Sequence, residues 1–596
     1  MNIITVSGIV ILIMIFGFVL IGLWFKKVTV SSGDFLMAGR NIPFWLLAGS
    51  YLGSMVGGAS VSGYTGLGFS DGISAIWAAL FTCLGLTGFI IIFARRLNFF
   101  GRRAEAVTIT DFICARYGEK LRLPAGIIAF LRPAILTGMQ LLAIAVVLNV
   151  AFEIAIKWGV VISAVIIFTY LYTAGQYSAI VVQWIQAMFQ SLAIVVAAIA
   201  AFKLIGNPNA ATEAFYFVLP DSFVDAWTVD TGSFSTWILT LGLYYFACPW
   251  MYMWAYVGES PRVSSNAQLA LLGAGYYNVL PFLAGMAVMA AVTMGTLILP
   301  EGLGSDGIYS WIGLHSESIV VGVIMIVGLV MTIISTGSSV AMNGVTILVQ
   351  DIYKGVLNKN ASEKQLMRVS RFSVILVLVI AVLSAIWVPV LVPLWVLAQA
   401  IVMAGLFVTV MAAWFWKRST TSGAFAATVG GGIAAIIWAV YTWVTTGAPG
   451  TLIFGLHCVH VGLIVSLVCM IVVSLATQHS EAENIEATNY GALGREMVAQ
   501  DPDHAPGLWG WLGAKTLGVK LVWILVFTLF ILHFALIFLF HFSWAGYAMV
   551  YIAMGASIVM GLVFAVCGAK DVMTLVKRSK LAAAEQAKAI SSEADS

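Results

Sequence analysis

Apolar residues fill most of this chain in unbroken runs of about twenty, divided by short polar stretches. Such runs show neither the 3.6-residue stripe of an amphipathic helix nor the alternation of a half-buried strand. A helix needs about 20 apolar residues to cross the hydrocarbon of a bilayer. That rule predicts about fifteen spans, near 3–25, 43–68, 74–97, 124–151, 158–174, 178–204, 234–257, 268–298, 318–350, 370–389, 391–415, 421–446, 451–476, 520–542 and 545–568. Residues 477–519 break the pattern: they are polar, contain Asp501-Pro502-Asp503, and read as a linker to a separate C-terminal helix pair. A tail rich in Lys, Ala and Glu follows at 569–596.

The charges give the spans a direction. No basic segment precedes the first apolar run, and Lys26 and Lys27 follow it, so it reads as a retained span with the N-terminus outside. From that start Arg95, Arg96, Arg102, Arg103, Lys354, Lys359, Lys364, Arg368, Arg371, Lys417, Arg418 and the tail lysines fall in the cytoplasm. Lys157 and Lys203 alone sit near the outer face, where Glu213, Asp221, Asp225 and Asp230 line the connection after the sixth span. This bias requires an odd number of spans and a cytoplasmic C-terminus. The expected location is the bacterial inner (plasma) membrane.

Composition changes the picture mainly by exclusion. Charged residues make up 9% of the chain and hydrophobic ones 61%, whereas a soluble protein carries about 25% charged residues. Lipid must therefore be the main solvent, which excludes a soluble enzyme, a nucleic-acid binder and a disordered scaffold. The six cysteines form no C-x-x-C pair and read as small core residues. No nucleophile elbow, phosphate-cradling glycine loop or zinc spacing is present. His457 and His460 read as structural groups near the outer interface.

Ionisable groups inside a membrane are functional suspects. All 26 acidic residues fall in loops or near span ends, so a carboxylate proton relay through the bilayer centre has no candidate. Arg132, two turns into the fourth span, is the one basic residue set back from the span ends. It admits two readings, an arginine snorkelling at the cytoplasmic face or an anchor for a solute carboxylate. Neutral oxygens are the remaining resource, and helix breakers gather them at three places. The second span holds Gly53-Ser54-Met55-Val56-Gly57-Gly58-Ala59-Ser60-Val61-Ser62-Gly63, the seventh Cys248-Pro249-Trp250, and the ninth Ser335-Thr336-Gly337-Ser338-Ser339. Each glycine costs a helix about 1 kcal/mol relative to alanine. Interrupted spans at matching places in two halves point to a transporter site, where unwound carbonyls hold a cation and half-helix N–H groups meet an anion.

These stretches resemble the sodium:solute symporter family, which includes sodium/glucose, sodium/proline and pantothenate carriers. The likeness rests on Val56-Gly57-Gly58-Ala59-Ser60, on Thr108-Ile109-Thr110-Asp111-Phe112 with Arg116-Tyr117-Gly118, on Tyr245-Phe246 through Pro249, and on Ser335-Thr336 with Ser339 and Asp351-Ile352-Tyr353. It covers roughly residues 1–475. The resemblance implies an all-α polytopic membrane protein with a leucine-transporter-like inverted repeat of five plus five helices. On that plan 43–204 and 234–415 are the two repeats, joined by the external connection 205–233. Residues 1–42 and 416–476 add further spans, with the linker 477–519, the helix pair 520–568 and the tail beyond them.

The resemblance also implies one Na+ site between the second and ninth spans. The carbonyls of Val56, Ala59 and Thr332 and the hydroxyls of Ser335 and Thr336 would hold the ion; back-bonding to helix carbonyls is the alternative use of those hydroxyls. Ser338 stands where many relatives have Asp, and Gly175-Gln176 then Gln183-Trp184 where relatives often carry Gly-Gly then Thr-Asp. Those departures point to one sodium per cycle.

Solute contacts are expected from Ser60, Ser62, Tyr64, Gln140, Tyr244, Tyr245, Cys248, Trp250, Met251 and Trp254. That lining is aromatic and poor in hydrogen-bonding groups. It suits import of a small carboxylate-bearing solute, monocarboxylate or amino-acid-like, better than a sugar, with Arg132 as the possible anchor. A sodium/sugar symporter, a proton-coupled carrier and a membrane sensor signalling through a protein partner are the competing readings.

Overall fold

The structure is a computed structural model, and its described residues are 2–25, 37–173, 176–205, 218–269, 276–448, 450–500, 507–539 and parts of 555–578. Lys26, Lys27, Glu213, Gly175, Asp501-Pro502-Asp503, most of the expected span 545–568 and the tail beyond 578 lie outside them. Among the described residues the chain is helical, with two isolated bridges, Ile42–Gly258 and Ile453–Leu456, as its strand-like pairing. The main helices are α1 (Ile3–Phe25), α2 (Phe44–Met55), α3 (Tyr64–Ser70), α4 (Ile76–Phe89), α5 (Arg95–Arg103), α6 (Ile109–Tyr117), α7 (Arg122–Phe152), α8 (Ile156–Thr173) and α9 (Gln176–Ile205). After the connection come α10 (Pro249–Val257), α11 (Pro261–Leu269), α12 (Tyr276–Thr293), α13 (Ile319–Ile347), α14 (Glu363–Trp387), α15 (Leu391–Val402), α16 (Thr421–Thr446), α17 (Cys458–Ala476) and α18 (Leu517–Leu539).

Among the described residues, eight helical runs are long and apolar enough to cross a membrane, or up to nine if the bent pair formed by α2 and residues Ala59–Ser70 is one span. Four more of the expected spans have shorter apolar helices, at Ile3–Phe18, Ile156–Phe168, Val279–Thr293 and Leu517–Thr528. The seventh, near 234–257, is interrupted. It passes through a π turn at Ile238–Gly242 and a 3-10 turn at Leu243–Ala247 before Cys248 takes extended backbone (φ −74°, ψ 115°). Pro249 then opens α10 at the first position, where its missing N–H is no loss.

The second span breaks where its glycines predict. α2 ends at Met55, Val56 is extended (φ −86°, ψ 119°), and the chain resumes as a π turn, Ala59–Gly63, that leads into α3. The two halves meet at 61°. α9 packs against both α2 and α13, which also touch each other, while α7 packs on α13, α14 and α15. Two glycines permit this closeness. A Cβ at Gly53 would lie 2.2 Å from the Gln183 carbonyl on α9, and one at Gly58 would lie 2.3 Å from the Ala143 Cβ on α7. Both helices thus reach the broken backbone itself.

Contacts gather the basic residues at one end of the bundle. Arg40 donates to the Gly101 and Glu105 carbonyls, Arg102 to those of Arg40 and Gly258, and Arg122 pairs with Glu119, Asp111 and Asp351. The stretch expected as a linker is folded onto this basic end in its described part. Arg116 and Glu483 pair in full burial, Arg96 lies 3.7 Å over the Tyr490 ring, and Arg95 lies 3.8 Å over that of Trp511. Burial pushes the Glu483 carboxyl up, but donors from Thr421, His479 and Ser480 outweigh it and hold it at about 2. Deep contact explains why so polar a stretch is ordered.

Packing around Gly53 is directly testable. Gly53→Ala forces its methyl into the α9 backbone and should cost about 1–3 kcal/mol, lowering the melting temperature of the purified protein. Gly8→Ala, with nothing within 4 Å of the new methyl, is the matched control. Equal melting temperatures for the two variants would contradict the close contact.

Candidate cation and solute site

Ending a helix in the middle of a bundle leaves carbonyls with no backbone donor, and each must find a partner. The carbonyls of α2 turn to side chains. Leu52 O keeps a long backbone bond from Val56 N at 3.5 Å and also accepts from Gln190 Nε2 at 3.0 Å, while Gly53 O accepts from Ser335 Oγ at 2.6 Å and Val56 O from Thr336 Oγ1 at 2.5 Å. Ser335 Oγ also donates to Thr332 O at 2.8 Å, as a back-bonding serine does within its own helix. The carbonyls of Gly53, Val56 and Thr332 and the hydroxyls of Ser335 and Thr336 therefore converge where α13 crosses the break, all on buried residues. Of the residues expected to hold a cation, Val56, Thr332, Ser335 and Thr336 meet there. The Ala59 carbonyl closes the π turn by accepting from Tyr64 N. Gly53 O is a member that sequence reasoning missed; its signal was its place one turn before the break.

Beside this cluster lies a cavity lined by Ser54, Met55, Gly57, Ala59, Ser60, Arg132, Leu136, Met139, Gln140, Tyr245, Trp250, Thr336, Val340 and Trp395. Its volume is about 40 Å³, far below the roughly 300–1,000 Å³ of a pocket for a drug-sized ligand. A solute can enter only if the surrounding helices part.

Five of the expected solute residues line the cavity: Ser60, Gln140, Tyr245, Trp250 and Arg132. Gln140 accepts from Gly58 N at 2.9 Å through Oε1, and its Nε2 is buried without a partner. Trp250 donates to Ser339 Oγ at 3.0 Å and stacks on Tyr51 at 5.3 Å. The other expected contacts do not line this cavity. Tyr64 bonds Ala78 O and Thr82 Oγ1, Met251 Sδ accepts from Tyr51, and Trp254 packs edge-on to Tyr51. Tyr244 donates to Cys248 Sγ at 2.7 Å, and the Ser62 hydroxyl is buried without a partner. Leu136, Met139, Val340 and Trp395 were missed, since an apolar residue on an apolar helix carries no mark of facing a cavity.

Arg132 does not snorkel. It sits in α7 beside Pro133, is 5% exposed, and its guanidinium lies 5.5 Å from the Tyr244 ring centre. Its Nε and Nη1 have no hydrogen-bond partner. The histidines keep the structural role expected of them. His457 caps α17 by accepting from Val459 N, and His460 accepts from His457 N and meets Ser235 Oγ at 2.9 Å. Among the described residues no group of three His, Cys, Asp or Glu could hold a metal.

One acid at the far end from the basic residues went unnoticed in the sequence. Asp306 accepts from Leu391 N at 3.0 Å, capping α15, and its turn packs on Gly66 of α3. Burial raises its carboxyl from 3.8 to about 6, against the opposing hydrogen bond from Leu391. Because the folded value exceeds the unfolded one, its stabilisation is complete below 3.8 and lost as pH rises through about 6. Wild-type protein should therefore gain melting temperature between pH 7 and pH 5 relative to Asp306→Asn. Identical pH profiles for the two would contradict the raised value of the buried carboxyl.

Residues 35–431 match the sodium:solute symporter family. The chain is 25% identical over 478 residues to the osmoregulated proline transporter OpuE of Bacillus subtilis, covering 77% of this chain and 92% of that one. It is likewise 25% identical over 471 residues to sodium/proline symporter 2 of Staphylococcus saprophyticus, with 76% and 89% covered. Among solved structures, a substrate-bound, outward-open Na+-coupled sialic acid symporter superposes with a TM-score of 0.64 at 18% identity, over 80% of this chain and 99% of that one. That likeness shows a shared fold. The family match spans well over half the chain, and the protein belongs to the sodium:solute symporters, integral membrane carriers coupled to sodium rather than enzymes.

Proposed function

We propose that this symporter imports a small carboxylate-bearing solute, monocarboxylate or amino-acid-like, together with one sodium ion. The cation would take the carbonyl oxygens of Val56, Ala59 and Thr332 and the hydroxyl oxygens of Ser335 and Thr336. A hard cation favours oxygen ligands, and binding would turn the two hydroxyls from donors toward the carbonyls into ligands beside them. The observation that carries the solute class is Arg132. A buried guanidinium with two unpartnered nitrogens costs several kcal/mol, and an arriving carboxylate offsets that cost through charge-assisted hydrogen bonds. Proline, named for several of the relatives, is an acid of this kind. The unpartnered Gln140 amide and N–H groups near Gly57–Ser60 would complete the recognition.

The breaks at Val56–Gly58 and at Cys248 would serve as hinges between two repeats, 43–204 and 234–415, that rock about the site. With the basic end placed in the cytoplasm by the positive-inside rule, the N-terminus lies outside and import runs toward that end.

Two experiments in proteoliposomes test this reading. Ser335→Ala combined with Thr336→Ala should abolish sodium dependence of uptake, and unchanged sodium activation would refute the site. Uptake across a panel of sugars, amino acids and monocarboxylates should select acids, and Arg132→Gln should raise the half-saturating concentration of the preferred acid about 30-fold or more. Sugar uptake without competition from any carboxylate would overturn the solute class.

A further inference from the structure

The family match ends at residue 431, and the proline transporters cover about three quarters of the chain. What lies beyond includes a short helical segment, 565–578, that returns to the basic end. Leu575 is buried there, and Val572 and Val576 pack against the core. Its Asp571 carboxylate reaches α2: Oδ2 accepts from Trp45 N at 2.8 Å and from Leu46 N at 3.1 Å.

α2 needs such a partner. Its N-cap is Pro43, whose side chain makes no capping bond, so the first N–H groups of the helix have no local acceptor. A carboxylate set on that end also meets the positive pole of the helix. The cap therefore comes from 526 residues away in sequence. Seven residues further on, Arg578 pairs with Glu259 at 3.0 Å. Glu259 lies between α10 and α11, donates its own N–H to Ile42 O, and follows the Ile42–Gly258 bridge. Segment 565–578 thus holds the entry to α2 and the exit from α10 together. These are the basic-end halves of the two broken spans. Nearby, Asn266 of α11 donates to Leu512 O at 2.6 Å, so a second part of the same extension grips the same corner.

We propose that segment 565–578 is an intramolecular clamp on the two half-helices, with Asp571 the positioning residue that keeps α2 seated. The clamp restrains parting of the bundle at the basic end. Because the chain passes from α2 directly into Val56, seating α2 also keeps the Val56 carbonyl in register for the cation. This second effect rests on the proposed sodium site; the clamp itself does not.

Hydrogen–deuterium exchange on the full-length protein in lipid nanodiscs separates the two. In choline buffer without sodium, Asp571→Ala should speed exchange of the peptide covering residues 44–49 by about 3- to 30-fold, the range expected for losing a helix cap, while α16 keeps its wild-type rate. Asp571→Asn, which retains an acceptor oxygen and the shape, should show a smaller increase, and it carries the test if the alanine variant does not fold. In sodium titrations the concentration that half-protects 44–55 should rise several-fold in Asp571→Ala. Exchange at 44–49 within twofold of wild type in both variants would overturn the clamp. Faster exchange with an unshifted sodium midpoint would support the clamp and overturn its coupling to the ion.

Discussion

A broken helix inside a membrane protein has to answer for every carbonyl it releases, because lipid offers no donor in exchange. Here the answer is a pair of hydroxyls one residue apart on α13. Ser335 and Thr336 reach the Gly53 and Val56 carbonyls across the crossing of two helices, and much else follows from making that reach possible. Glycines at 53 and 58 let α9 and α7 press against the bare backbone. Gln140 and Gln190 satisfy neighbouring backbone groups. The result is a concentration of neutral oxygens in a chain with almost no charge to spend inside the bilayer.

That economy bears differently on a cation and on the carboxylate of the proposed solute. A cation can be held by dipoles alone, since several oriented carbonyls and hydroxyls replace its hydration without a counter-charge. An anion in the same low-dielectric cavity needs a positive partner, and among the groups lining this cavity Arg132 is the one full charge. Its neighbours reinforce the contrast: Tyr244 offers a ring face and Cys248 a thiol, neither of which neutralises a guanidinium. The far ends of the same helices obey ordinary surface rules, with acids capping helix starts at Asp306 and Asp571 and arginines knitting loops together at the basic end.

Much of this is legible in the sequence alone. Helix-breaking residues announced both interruptions, because glycine and proline act locally and their cost does not depend on partners. The hydroxyl pair on α13 was legible through its family pattern. Tyr64, Cys248, Met251 and Trp254 show what was not legible. Their place on the broken spans put them near the cavity, but which face they turn inward depends on the exact bend and on the π turn at Ala59–Gly63. Arg132 was ambiguous for a related reason, as depth along α7 cannot be read without knowing where the helix starts relative to the bundle. The ordered fold of 477–500 was hidden too, since its order comes from arginines on α5 and α6 almost four hundred residues earlier.

The proposed sodium site counts the Val56 carbonyl, freed at the break in the second span, among the cation's ligands with the Ser335 and Thr336 hydroxyls. A density map of the purified protein determined in sodium and again in choline addresses it most directly. In sodium, a peak should stand between the Val56 carbonyl and the Thr336 hydroxyl, with Ser335 and the Thr332 carbonyl around it and the direct Thr336–Val56 hydrogen bond opened. A Thr336–Val56 hydrogen bond that persists in sodium, with the ion's density elsewhere, would contradict the account.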